Sequence, residues 1–180
     1  MTTSAAAAAP LKRAQELAGG AATLAVIAAV IIAITAALSD LAAPALRALR
    51  DGEVTPDIEG ALNLLRAVAA FSVLAAPNFM LAGALFDLSQ VLDEYGKGQF
   101  FTVRASVNVR KAAEWALWAL AFEIMISPTL FSWITQQGRG FIWNMEAFEL
   151  GLVAFAGFVM VLGRVLEAAA RIKEENDEIV

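Results

Sequence analysis

The chain has 180 residues, of which 59% are hydrophobic and 17% charged, and its formal net charge is −5. It contains neither Cys nor His, which excludes disulfides, thiolate nucleophiles, iron–sulfur clusters, Cys/His zinc sites and haem held by His or Cys. A direct nucleic-acid binder would show a basic stripe, and the sequence has none. Soluble domains are nearer half apolar and a quarter charged, so the composition indicates a membrane protein.

The apolar residues gather in four segments that are each long enough to cross a bilayer. These predicted spans cover residues 17–38, 61–86, 115–134 and 147–166. About 20 helical residues are enough to cross the hydrocarbon core. We expect residues 1–10 to be a disordered N-terminal tail, residues 11–171 a four-helix transmembrane domain, and residues 172–180 an acidic C-terminal tail. The predicted fold class is all-α, a polytopic membrane protein with a four-transmembrane-helix bundle.

The positions of Lys and Arg predict how the helices are oriented in the membrane. Nine of these residues lie before the first span, between the second and third spans, or from Arg164 at the end of the fourth span onward, and three lie in the two opposite loops. Arg66 lies inside the second span. Basic residues favour the cytoplasmic side, so we expect both termini in the cytoplasm. Trp115 and Trp118 at one border, with Trp133 and Trp143 at the other, agree with interfacial aromatic belts.

Helix one carries alanine at every fourth residue of one stripe: Ala21, Ala25, Ala29, Ala33 and Ala37. Small residues let helix backbones approach closely in lipid, where there is no hydrophobic drive between helices. The stripe therefore predicts tight packing inside the bundle. Homodimerisation through the same stripe is the alternative.

A carboxylate, Glu123, lies near the middle of the third span. At that depth a charge is costly unless it is paired or protonated. Alanines and Ser127 share its helical face, which predicts that the side chain points into the bundle interior. Its candidate partners are Arg66 and Asn78, the latter beside Pro77, where a kink is expected. A structural hydrogen bond or ion pair is one interpretation; an ion, proton or ligand site is the other.

A second set of polar residues lies on the side predicted to be cytoplasmic. We expect Thr102 to cap an amphipathic helix that leads from the 97–111 loop into the third span. The ordinary role of such a helix is anchoring to anionic lipid, and a docking surface for a cytoplasmic protein is the alternative. The residues of this cytoplasmic face are Phe101, Arg104, Asn108, Arg110, Lys111, Glu174, Glu175 and Asp177.

Two stretches resemble a known family. Gly98-Gln99-Phe100-Phe101-Thr102, followed five residues later by Asn108-Val109-Arg110-Lys111, resembles the pattern G-x-x-F-S/T … N-v-r-x-l/i-r of the domain-of-unknown-function (DUF) 2975 family. The C-terminal segment is similar to that family's ending, G-x-x-L-x-E-E-x-D-L-T-I/V, with Ala168 where Gly is common and Glu178 where Leu is usual. The resemblance implies a four-helix protein of the bacterial inner (cytoplasmic) membrane. Because family members often occur beside small helix-turn-helix regulators, it also implies a regulatory role, and it supplies no catalytic residues.

Three functions are compatible with these observations. The first is a non-enzymatic regulatory or scaffold protein that engages a cytoplasmic partner, such as a small helix-turn-helix regulator, through the 97–111 loop and the C-terminal tail. The second is a small oligomeric ion- or proton-coupled transporter or channel that uses Glu123. The third is an accessory subunit of a larger membrane complex. We expect no enzyme activity, cofactor or metal; the expected partners are membrane lipid, another protein or a second copy of the chain, but not nucleic acid.

Overall fold

The computed structural model describes residues 3–38, 58–100, 102–135, 138, 140–143 and 145–177, and side chains from residue 11 to residue 176 within those ranges. Almost all of these residues are helical. The helices are α1 (Thr3–Thr35), α2 (Ile58–Gly96), α3 (Val103–Ala121), α4 (Ser127–Ile134) and α5 (Ala147–Asp177), with a π-helical turn at Phe122–Ile126 that joins α3 to α4. No strand occurs in the described part of the chain.

Four helical segments are long and apolar enough to cross a membrane. They are Leu11–Leu38, Ile58–Gly96, Val103–Ile134 and Ala147–Asn176. The prediction of an all-α protein with four membrane-spanning helices is therefore confirmed. Each segment is longer than the roughly 20 residues that a bilayer crossing requires, so the helices continue beyond the hydrocarbon core.

The helices are longer than the sequence predicted. α1 already begins at Thr3, so the expectation of a disordered tail over residues 1–10 is wrong from that residue on; a run of alanines there favours helix. α5 continues to Asp177, and most of the predicted acidic tail is helical. The predicted 97–111 loop is only six residues long, 97–102. A helix pairs its own backbone N–H and carbonyl groups. It can therefore continue from an apolar segment into a charged one without leaving these groups unpaired.

Each long helix buries a narrow face with a seven-residue period. The buried positions at this spacing are Ala29 in α1 and Ala36 directly after it; Ala70, Pro77, Ala84 and Val91 in α2; Ala105, Ala112 and Ala119 in α3; and Ala156, Gly163 and Ala170 in α5. Such a period is typical of helices that pack side by side at shallow angles. All but two of these residues are Ala or Gly, which allow close approach of helix backbones.

The chain forms two compact units, and every long helix contributes to both. The first unit comprises Met1–Ala29, Gly83–Trp115 and Phe155–Val180; the second comprises Val30–Ala82 and Ala116–Ala154. Among the described residues, every Lys and Arg except Arg66 lies in the first unit. We therefore call the first the charged unit and the second the apolar unit.

Candidate functional site: a polar network at the helix ends

α2 ends in a tight turn that depends on glycine. Gly98 has a φ of +81°, in the left-handed region that favours glycine. The turn is closed by the backbone N–H of Gln99, which donates to the Glu94 carbonyl oxygen at 3.0 Å. A Cβ on Gly98 would also lie only 2.6 Å from Nε2 of Gln15 in α1. Position 98 therefore favours glycine for its backbone conformation, whereas the amide of Gln15 is the end of a flexible side chain and could move away from a Cβ.

Glu94, in the last turn of α2, holds the start of α3. Its carboxylate accepts a hydrogen bond from Thr102 Oγ1 at 2.6 Å and lies 3.3 Å from Nε of Arg104. Thr102 Oγ1 also accepts the backbone N–H of Ala105 at 3.0 Å, so the prediction of Thr102 as the N-cap is confirmed. Glu94 is only 8% exposed. A single buried carboxylate thus joins the end of one helix to the cap of the next.

Arg110 links α3 to α5. Its Nη1 donates to Oε1 of Glu114 at 2.9 Å, and its Nε lies 3.5 Å from Oε2 of Glu167. The second contact is an ion pair without hydrogen-bond geometry, because the buried Nε has no hydrogen-bond partner. Glu167 also accepts a hydrogen bond from Arg171 at 2.7 Å. This chain of charges joins the two stretches on which the family resemblance depends.

Gly163 brings the backbones of α3 and α5 into contact beside this ion pair. A Cβ at Gly163 would lie 2.9 Å from the backbone nitrogen of Arg110 and 3.1 Å from its Cα. Gly151 and Gly157, in the same helix, have no neighbouring atoms within 4 Å of such a Cβ. Glu167 follows Gly163 by one helical turn, so the close approach at Gly163 places its carboxylate beside the guanidinium.

The residues predicted to form a cytoplasmic face do not share one exposed surface. Asn108 is only 7% exposed, and its Nδ2 donates to Oε1 of Gln90 in α2 at 3.3 Å. Arg110 is likewise engaged between helices. The exposed members are Arg104, Lys111, Glu174 and Glu175. Phe101 and the side chain of Asp177 lie outside the described residues. Asn108 is therefore not part of an exposed face and Arg110 is engaged between helices; that these residues contact a partner stays a prediction.

Glu123 lies in the π-helical turn, and its side chain is exposed. The prediction that it points into the bundle interior is wrong. A π-helical turn contains more residues than an α-helical turn, so Ile124 takes the buried position that follows Ala119. Asn78 is partly buried and Arg66 exposed; Glu123 and Asn78 each have an interaction partner. That Glu123, Arg66 and Asn78 form one intramembrane polar site stays a prediction.

Pro77 creates a polar contact that the sequence prediction missed. In a regular helix the carbonyl of Val73 accepts the N–H of residue 77, but proline has no N–H. Ser127, which is 2% exposed, instead directs its hydroxyl to the Val73 carbonyl oxygen at 3.5 Å. Hydroxyls commonly satisfy carbonyls that proline leaves free in membrane helices. In the sequence, the hydroxyl of Ser127 is the signal for this contact.

Thr129, two residues after Ser127, also uses its hydroxyl to bond to the backbone of another segment. Its Oγ1 donates to the carbonyl oxygen of Ile142 and accepts the backbone N–H of the same residue, both at 3.1 Å. This reciprocal pair holds the segment before α5 against α4. Trp133 adds a hydrogen bond from Nε1 to the carbonyl oxygen of Gly140 at 3.2 Å.

The alanine stripe of α1 lies on the covered side of that helix. Ala29 is buried, and the other four members, Ala21, Ala25, Ala33 and Ala37, are partly buried. Larger side chains such as Leu24, Ile31 and Ile34 are exposed. This placement agrees with packing inside the bundle, and homodimerisation through the stripe stays a prediction.

Comparison with known proteins identifies a family for this chain. The model of a family described as "Protein of unknown function (DUF2975)" matches residues 44–180, more than half of the chain, and this range includes α2 to α5. No curated protein and no solved structure matches the chain.

Proposed function

The chain belongs to the DUF2975 family of proteins of unknown function, and on that premise we propose that it is a non-enzymatic membrane protein whose charged unit docks a protein partner. In this proposal the protein lies in the bacterial inner membrane with both termini in the cytoplasm, as the distribution of basic residues favours. The partner is then cytoplasmic. A small helix-turn-helix regulator is the partner that the family resemblance implies.

The observation that carries this proposal is the network at the helix ends. Glu94 fixes the start of α3, and Arg110 with Glu167 fixes α3 to α5. Helix ends held in this way form a preorganised surface, and binding to such a surface costs less conformational entropy than binding to a flexible tail. A protein that only needed to stay in the membrane would not require helices that continue past their apolar segments.

The charges left exposed on the charged unit are of both signs. Arg104 and Lys111 lie on α3, and Glu174 and Glu175 lie near the end of α5. Exposed charges set the specificity and association rate of protein complexes more than their affinity. We therefore expect binding to weaken with rising ionic strength, since salt screens exposed charges.

Charge reversal at the end of α5 tests the docking role. The double variant Glu174→Lys, Glu175→Lys should lose a partner that the wild-type protein retains in a mild-detergent pull-down from its own cells. Glu59→Lys, an exposed reversal in the first turn of α2, is the matched control and should retain it. Recovery of the wild-type protein alone, or equal retention by all variants, would contradict docking through this surface.

Ion or proton transport is a second candidate, favoured by the position of Glu123. An exposed carboxylate in the middle of a span is costly against lipid, whereas in an oligomer it would face a neighbouring copy or a water-filled path. Four helices leave little room for a pathway in a monomer, so this function requires oligomers. Glu123→Gln should abolish flux in reconstituted vesicles, while Glu149→Gln, in the first turn of α5, should not. Unchanged flux in Glu123→Gln would remove this candidate.

The accessory-subunit alternative has a weaker basis. In the most apolar 18-residue stretch of α5, only 11% of the residues are buried. The corresponding share for the third span is 28%. An uncovered helix of this kind is compatible with lipid contact as well as with a larger complex. Co-purification of further membrane subunits, detected by native mass spectrometry, would distinguish the two.

A further inference from the structure

A cleft of about 450 Å³ lies between α1 and α2 within the charged unit. Thr23, Val26 and Ile27 of α1 line one side of the cleft, and Ser89, Gln90 and Asp93 of α2 line the other. The docking function proposed above does not use the cleft, and the inference below does not depend on that function.

The groups along the cleft change from charged to apolar. α1 and α2 run antiparallel here, since Gly19 contacts Gly96 while Ile27 and Ser89 share the cleft. Asp93 therefore lies near the charged helix ends, and Ser89 lies about 6 Å deeper, at the rise of an α-helix. Val26 and Ile27 are the deepest residues on α1. The order of a phospholipid is the same: a charged headgroup, then ester carbonyls, then acyl chains.

The mouth of the cleft presents both signs of charge. Asp93 forms an ion pair with Lys97, and the two side chains are 59% and 63% exposed. An exposed pair of this kind contributes little to stability and exchanges partners readily. A headgroup with an ammonium and a phosphate complements it, with the ammonium toward Asp93 and the phosphate toward Lys97. An anionic headgroup would match Lys97 but would be repelled by Asp93.

Gln90 supplies a hydrogen-bond donor in the cleft, one step deeper than Asp93. Its Oε1 accepts a hydrogen bond from the buried Asn108, which orients the amide and leaves the Gln90 NH₂ group as the available donor. Ser89 already donates its hydroxyl hydrogen to the carbonyl oxygen of Phe86 at 2.6 Å. An ester carbonyl of a lipid is the acceptor expected at this depth. Asn108, one of the residues that carry the family resemblance, then acts as a positioning residue for Gln90.

From this order of groups we propose that the cleft binds one zwitterionic phospholipid, with its ammonium on Asp93, its phosphate on Lys97 and an ester carbonyl on the amide of Gln90. Its acyl chains continue past Val26 and Ile27 into the hydrocarbon of the bilayer. The ligand is a constituent of the bilayer itself, held in one orientation at one place.

Native mass spectrometry of the full chain in detergent tests the proposal. The probes are phosphatidylethanolamine and phosphatidylglycerol with identical acyl chains. The wild-type protein should bind phosphatidylethanolamine about two- to fivefold more tightly, the range that an exposed ion pair provides. Asp93→Asn should remove this preference. Glu59→Gln, which removes an exposed carboxylate at the other end of α2, is the matched control and should retain it.

Two further variants distinguish lipid that is bound in the cleft from lipid that is bound elsewhere on the protein. Gln90→Leu should weaken binding of both lipids several-fold and leave the preference between them, because the ester carbonyl is common to both. Thr23→Trp places a large side chain at an exposed position of the cleft wall and should abolish the specific binding. Equal binding of the two lipids by the wild-type protein, or a preference that survives Asp93→Asn or Thr23→Trp, would overturn the proposal.

Discussion

The charged unit and the apolar unit bury different kinds of polar group. The charged unit buries a carboxylate, Glu94, and an amide, Asn108, in addition to the hydroxyls of Ser89 and Ser106. In the described part of the apolar unit, every buried polar side chain is a hydroxyl, on Ser127, Thr129 and Ser132. A hydroxyl carries no charge and can bond to a nearby backbone group, so it costs little in hydrocarbon. A carboxylate is tolerable where water and cationic partners are close. The difference indicates which part of each helix lies in the membrane.

The two units also connect their helices in different ways. In the charged unit an ion pair and a close backbone approach coincide, at Arg110, Glu167 and Gly163. In the apolar unit Ser127 bonds to a carbonyl that Pro77 leaves free. If this comparison is correct, substitutions at the packed contacts between α3 and α5 in the charged unit should have large effects that depend on shape and charge. Those in the apolar unit should have small effects that depend on a single hydrogen bond.

Gly163→Leu should have the largest effect on stability. The new side chain would collide with the Arg110 backbone, and overpacking of this kind costs about 1–3 kcal/mol or more. Thermal unfolding in detergent, followed by circular dichroism, should show a Tm lower by roughly 2–4 °C for each kcal/mol. Gly157→Leu, where the glycine has open space, is the matched control and should leave Tm nearly unchanged. Equal losses in both variants would show that the approach at Gly163 is not special.

Glu167→Gln should have the next largest effect. The side chain is 18% exposed and pairs with both Arg110 and Arg171, and a hydrogen bond between charged groups, such as the one from Arg171, contributes about 1.5–3 kcal/mol. We expect a destabilisation toward the lower end of that range, because both arginines retain access to water. Glu175→Gln, on the exposed end of the same helix, serves as control. Denaturant unfolding of the two variants at one salt concentration provides the comparison; no difference between them would argue against a structural role for the ion pairs.

Ser127→Ala tests the hydrogen bond in the apolar unit. The variant should lose about 0.6 kcal/mol, the mean for hydrogen bonds between membrane helices. In a Pro77→Ala background the loss should disappear, because the restored N–H of residue 77 bonds to the Val73 carbonyl itself. A double-mutant cycle on the free energy of unfolding measures this coupling. Ser72→Ala, whose hydroxyl bonds within its own helix to Val68, should show no coupling to Pro77. A loss that is equal in both backgrounds would rule out the contact.

Lys97→Met should have the smallest effect. Its ion pair with Asp93 is exposed on both sides, and such pairs contribute about 0.5 kcal/mol or less. The neighbouring Gly98→Ala should cost more, because it forces a side chain into a positive φ and against Gln15. Thermal unfolding of the two variants side by side measures the contrast. A larger loss for Lys97→Met would mean that charge, rather than backbone shape, holds this turn.

Local signals explain what could be predicted from the sequence. The four spans follow from the length of the apolar segments, and the Thr102 cap from a hydroxyl at a helix start. The partnership of Arg110 with Glu167 could not be predicted, because these residues are distant in sequence and meet only through the close approach at Gly163. The predicted orientation of Glu123 is wrong because it assumes the 3.6-residue period of a regular α-helix, whereas Phe122–Ile126 form a π-helical turn.

The π-helical turn at Phe122–Ile126 has a consequence for how related sequences are aligned. It amounts to one extra residue in the middle of a membrane helix. Deleting one residue there would restore a continuous α-helix, and the residues on either side would keep the faces that they have in this structure, because the π-helical turn absorbs its extra residue locally. A one-residue gap at this point in a relative would therefore mark the loss of the π-helical turn and not a change of face beyond it. A substitution at a position aligned with Glu123 or Ile124 could be interpreted only after the helix type had been established.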